Sequence, residues 1–91
     1  MNFKRKSKKS RTTGETQISI EVNMDGKGIS EIKSPIGMLN HMLDQISRHG
    51  LIDINASIQG DLETGTHHII EDTAIVLGMC IDDALGDRVG I

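Results

Sequence analysis

The chain has 91 residues, of which 36% are apolar, with no Trp or Tyr and one Phe, so it fits one small domain with an aliphatic core. The formal net charge of −3 is unevenly divided: Lys4, Arg5, Lys6, Lys8, Lys9 and Arg11 hold six of the ten basic residues, while all thirteen acids lie from Glu15 onward. The longest apolar stretch, Ala74 to Ile81, is too short to span a membrane and contains Gly78, and the lone Cys80 excludes an intrachain disulfide.

Residues 1–10 read as a basic, disordered, solvated arm. No apolar segment follows that would make a secretory signal, and neither aromatic interleaving nor a recognition motif points to nucleic acid. Residues 11–91 form the folded body, and a reducing cytoplasm suits it best. From Thr16 to Asn23 apolar and polar residues alternate, with Ile18, Ile20 and Val22 on one face, which is the period of a half-buried strand. Asp25-Gly26 and Gly28 supply a tight turn, and Ile29 to Lys33 is expected to return as the second strand of a hairpin.

Ser34-Pro35 precedes a helix expected over about Ile36 to Arg48, because Pro is tolerated in a first helical turn. Its apolar stripe is Leu39, Met42, Leu43 and Ile46, His41 falls opposite, and Gly50 is the expected stop. Leu51 to Gln59 alternates again and places Ile52, Ile54, Ala56 and Ile58 inward. After the loop Gly60 to Thr66, a second helix is expected from about His67 to Leu85, with Thr66 as its N-cap. That helix is apolar on nearly all sides after two turns, so it calls for cover on both flanks. Cys80 reads as a small buried hydrophobe on it. The order strand, strand, helix, strand, helix indicates an α+β fold, a two-layer sandwich.

Chemistry is concentrated in His67-His68-x-x-Glu71. His67 and Glu71 are four apart and share a helical face, so they can grip one metal ion. His68 is turned away by roughly 100° and must address a second metal or another partner. An ordinary helix start, where acids favour the macrodipole, is the plainer alternative. His41, on the polar face of another helix, could complete a site with His68. Each metal would then have two protein ligands here and need more from elsewhere. His49 either contacts the carbonyls that end its helix or touches a substrate, and Arg11 and Glu15, taken alone, are strand-end charges.

Taken together, Arg11-Thr12-Thr13-Gly14-Glu15-Thr16, Asp25-Gly26-x-Gly28, Leu39-Asn40-His41-Met42-Leu43 with His49-Gly50, Gly60-Asp61-Leu62, His67-His68-Ile69-Ile70-Glu71-Asp72 and Leu85-Gly86-Asp87-Arg88-Val89-Gly90-Ile91 resemble the imidazoleglycerol-phosphate dehydratase family in order and spacing. The resemblance covers about Arg11 to Ile91 and implies half of a duplicated ribosomal protein S5 domain 2-like fold, with the C-terminal half absent, as in a fragment, a truncated gene or a dissected half. It implies a metal-dependent hydro-lyase of histidine biosynthesis that converts imidazole glycerol phosphate to imidazole acetol phosphate, with this half inactive alone. Two manganese ions per complete site are implied, one served by His41 and His68, the other by His67 and Glu71. They would hold the substrate imidazole so that its ring accepts electron density as the neighbouring C–H proton and the hydroxyl leave. Glu15 and Glu71 are implied as catalytic, and Glu15, His41, His49, His67, His68 and Glu71 as substrate-binding. Partners implied are copies of the chain, in a homo-oligomeric shell of twenty-four subunits for the full-length family, with neither nucleic acid nor membrane. The alternative is a non-catalytic metal-binding or assembly module. Asn40, Ser34-Pro35, Met38 and Gly65-Thr66 depart from the family's usual Asp, Thr-Gly, Phe and acidic residues, and spare the implied ligands.

Overall fold

A computed structural model describes residues 5–14, 16–60 and 66–86. In chain order the elements are β1 (Lys6–Thr12), β2 (Thr16–Asn23), β3 (Ser30–Lys33), α1 (Gly37–Gly50), β4 (Asp53–Gly60) and α2 (His67–Leu85). They form one four-stranded sheet, ordered β1-β2-β4-β3, under two helices. The expected α+β two-layer sandwich is therefore present, and it is compatible with half of a duplicated fold. None of the described helices is long and apolar enough to cross a membrane.

The core follows from alternation. Ile18, Ile20 and Val22 of β2 and Ile54, Ala56 and Ile58 of β4 are all buried on one face, where they meet Leu39 and Leu43 of α1 and Ile69, Val76, Cys80 and Ala84 of α2. Their neighbours Gln17, Glu21, Asn55, Ser57 and Gln59 are exposed, so the opposite face of the sheet is wet. α2 lies across β1 and β2, and α1 across β3 and β4. Each fully buried aliphatic side chain contributes about 1.5–3 kcal/mol relative to exposure. The Cys80 thiol is inert packing: it donates to the Ile20 carbonyl at 3.0 Å, and burial raises its pKa.

Four expectations are corrected. The basic arm does not stay disordered over residues 6–10, which belong to β1, antiparallel to β2 with Ser7 opposite Val22 and Arg11 opposite Ile18. The cause is charge pairing that a composition scan misses: Lys9 Nζ lies 3.8 Å from Asp83, Ser7 Oγ donates to Asp83 at 2.7 Å, and Arg11 Nε lies 3.3 Å from Asp72. β1 thus lays Lys9 and Arg11 along the acids of α2.

The second correction is topological. β3 does not return beside β2; it runs parallel to β4, with Ile32 opposite Ala56, while β4 itself occupies the free edge of β2. Asp53, the first residue of β4, accepts the Lys27 and Ile29 amides at 2.9 Å each, and Ile54 N–H donates to the Ile29 carbonyl at 3.0 Å. This pulls the chain after the turn around the start of β4. The approach at Gly26 is so close that any Cβ would overlap the Asp53 carboxylate, and Gly28 adopts a φ of +87°.

Third, α1 turns a different face inward. Leu39, Leu43 and Ser47 are buried, whereas Met42 and Ile46 of the expected stripe are 52% and 41% exposed. Ser47 joins the core because its hydroxyl donates to the Ile52 carbonyl at 2.6 Å, so its burial leaves no orphan. Fourth, the helix ends differ from expectation. Gly50 is still helical and Leu51 takes the left-handed cap (φ 54°, ψ 40°), while Thr66 is in a helical conformation and makes no side-chain cap bond.

Two predictions follow from this packing. Ile20→Ala should cost about 2–5 kcal/mol in urea denaturation, and Gln17→Ala on the wet face within about 0.5 kcal/mol; equal costs would mean that the two faces are misassigned. Asp53 is held below the usual carboxylate pKa by the amides of Ile29 and then Lys27. Its stabilisation is complete above the unfolded carboxylate pKa of about 4 and is lost as pH falls through the lower folded value. Asp53→Asn should flatten the acid limb of a stability-against-pH profile, and Gly26→Ala should lower stability at all pH values. An unchanged acid limb in the Asn variant would remove Asp53 from this role.

Candidate metal centre

α2 begins with an exposed turn on a buried anchor. Ile69 is driven into the core, which leaves His67, His68, Ile70 and Glu71 outward. His67 Nε2 and Glu71 Oε1 are 2.8 Å apart across one helical turn, with side chains 78% and 56% exposed. The His67 and His68 ring centroids are 6.2 Å apart at an interplanar angle of 69°, so the adjacent imidazoles diverge, as a helical step of roughly 100° requires. An imidazole nitrogen and a carboxylate oxygen held this close can share a proton or embrace a cation. Such a donor set suits zinc, manganese or iron.

His41 lies in the first turns of α1 and is exposed. Both histidine-bearing helix starts lie at one end of the sheet: Thr16 pairs with Gly60 in β4 and bonds Asp72 of α2, while Gly60 and Asn40 line the same open groove, of about 620 Å³, with Ser34 and Gln59. Among the described residues, no three His, Cys, Asp or Glu side chains converge to hold a metal ion. Imidazole and carboxylate donors are therefore present and fit a divalent metal, but the pair His67 and Glu71 needs further ligands.

His49, at the end of α1, is exposed and its Nε2–H donates to Gln45 Oε1 at 2.9 Å, one turn back, rather than to the terminal carbonyls. Glu15 lies outside the described residues, but its neighbours form a tight turn in which Thr13 N–H donates to the Thr16 carbonyl at 2.8 Å. For two residues that the sequence reading named, it did not give the contacts. Asn40 donates through Nδ2 to the Ser34 carbonyl at 3.3 Å, and its Oδ1 is buried without a partner. Asp72 accepts the Thr16 hydroxyl at 2.6 Å and faces Arg11. No local pattern marks either, because their partners are set by the fold.

Comparison with known proteins shows the family. A family model described as imidazoleglycerol-phosphate dehydratase matches residues 34–91. Proteins of that name from Nitrosomonas eutropha and Agrobacterium fabrum are 48% and 51% identical over 87 residues, covering 96% of this chain and 45% and 44% of the relatives. The Streptomyces griseus relative is 51% identical over 81 residues, 89% of this chain and 41% of its own length. The chain thus spans a little under half the length of these curated relatives. With a histidine-rich turn on a helix start and a sequence match running through it, the chain belongs to the imidazoleglycerol-phosphate dehydratase family.

Proposed function

We propose that this chain supplies part of the site that dehydrates imidazole glycerol phosphate to imidazole acetol phosphate, a metal-dependent hydro-lyase reaction of histidine biosynthesis carried out in the cytoplasm. The observation that carries the proposal is the exposed His67 and Glu71 pair beside His68, in a chain of this family. His67 with Glu71, and His68 with His41, would hold two manganese ions. Bound manganese supplies Lewis acidity toward the substrate imidazole, so that negative charge developing beside the ring is stabilised.

The chain's own residues do the rest. The divergence of the two neighbouring imidazoles lets one turn serve two positions without competition between them. Glu71, besides holding metal, can accept a proton at Oε1, where it already faces His67. Glu15, one residue before the buried Thr16, is the proposed group for moving the substrate proton, and His49 a substrate contact. Six-coordinate manganese needs ligands that this donor set does not provide, so substrate, water or a second protein layer would supply the remainder. The outward apolar side chains support such a layer in a homo-oligomer: Met38 and Met42 on α1, and Ile70, Ile75 and Met79 on α2 are all exposed. The rival reading is a metal-binding or assembly module without catalysis.

Manganese titration followed by electron paramagnetic resonance should show weak binding by the chain, lost by more than about tenfold in His67→Ala and in Glu71→Gln. Dehydration of imidazole glycerol phosphate should be undetectable with the chain alone and appear when the complementary half of a relative is added. Turnover by the chain alone would show that the site is divided wrongly, and binding without turnover in the mixture would favour the module. In sedimentation velocity the chain should associate, and Ile75→Glu with Met79→Glu should shift it toward a smaller species. A wild-type chain that stays monomeric and ignores hydrophobic dye would count against the second layer.

A further inference from the structure

The first two turns of α2 lack the usual means of fixing a helix start. Thr66 makes no side-chain cap bond, and no acid occupies the first turn. Burial of Ile69 and Thr73 decides which face of the turn points inward, but apolar contact is non-directional and leaves the fine angle about the helix axis soft. A smaller rotation, which keeps Ile69 buried, would still swing the outward His67, His68 and Glu71 side chains away from their places. Something directional has to set that angle.

Asp72 has the right contacts. Its side chain is 14% exposed, Oδ2 accepts the Thr16 hydroxyl at 2.6 Å, and Oδ1 lies 3.3 Å from Arg11 Nε. Because a carboxylate can only accept, the Thr16 hydroxyl spends its proton there. Thr13, 3.0 Å from Thr16 Oγ1, must therefore donate to it, while Thr13 Oγ1 accepts the Thr16 amide at 3.0 Å. The chain of hydroxyls ends on a charge, the stronger kind of hydrogen bond. Thr16 is buried in β2 and Arg11 is anchored in β1, so both contacts come from the rigid sheet.

We propose that Asp72 is a positioning residue: through Arg11 and Thr16 it locks the helix turn carrying His67, His68 and Glu71 at one rotation against the end of the sheet where Thr16 pairs with Gly60. The functional part of this inference rests on the metal-site reading above; the mechanical part does not. At the other end of α2, Ser7 and Lys9 engage Asp83, so loss of the Asp72 contacts frees the first turns while the remainder of the helix stays docked.

The test uses the chain itself, followed by amide hydrogen exchange and by Mn2+-induced broadening of the His67 and His68 ring signals. Asp72→Asn should speed exchange over residues 67–73 by about tenfold or more while Ile20, Val22, Ile54 and Val76 stay within about twofold. It should also raise the Mn2+ concentration for half-broadening by about tenfold, the usual order for losing a group that orients metal ligands. If Asp72→Asn fails to fold, Thr16→Val, which removes the hydroxyl that donates to Asp72 and accepts from Thr13, should act in the same direction, and Thr16→Ser, which keeps that hydroxyl, should restore wild-type behaviour. Uniformly faster exchange throughout the sheet, or unchanged exchange at residues 67–73, would overturn the proposal, as would a loosened turn with unaltered Mn2+ demand. Should the wild-type chain show no broadening at all, the metal reading fails separately, and the exchange pattern alone then decides whether Asp72 locks the turn.

Discussion

Every apolar side chain that β2 and β4 bury points to the same face of the sheet, and this single-sided alternation dictates where everything else can go. The two helices have only that face to cover. α2 settles over the hairpin of β1 and β2, α1 over the parallel pair of β3 and β4, and the connections bring both helix starts to the end where Thr16 pairs with Gly60. Among the described residues the core contains no aromatic ring, so shape complementarity among aliphatic side chains carries its packing. The exposed histidine turn is a by-product of the same geometry, since Ile69 must face inward and its neighbours therefore cannot.

Much of this was legible from local periodicity. The span of α2, the alternation of β2 and β4, and the placing of His67 and Glu71 on one helical face depend only on residues a few positions apart. What escaped the sequence depends on partners far along the chain. Lys9 and Arg11 of β1 look like part of a solvated tail until the acids of α2 are brought beside them. β3 looks like a returning hairpin strand until Asp53 captures the amides of Lys27 and Ile29. Ser47 does not read as core because its hydroxyl partner, the Ile52 carbonyl, lies beyond the helix end. Asp72 looks like a generic acid at a helix start, and only the fold supplies Arg11 and Thr16. The bond from His49 to Gln45, by contrast, is a one-turn contact that spacing alone could have indicated.

The outer surfaces of the helices are less settled thermodynamically than the inner ones. Met38, Met42 and Ile46 recur every fourth residue on α1, and Ile75 and Met79 do so on α2, all outside the core. Membership of a family whose curated relatives are about twice as long gives this apolar surface a natural context. Apolar cover for the two helices calls for protein beyond this layer.

The strand order also has a kinetic side. β1 and β2 are joined by a short turn and can zip up as soon as both exist, whereas β2 meets β4 only after β3 and α1 have been laid down between them. Closing so large a loop costs chain entropy before any contact repays it. A nascent chain leaving the ribosome therefore carries the inner edge of β2 bare until β4 emerges, and that interval is when its Ile-rich strand is most vulnerable to pairing with the wrong neighbour.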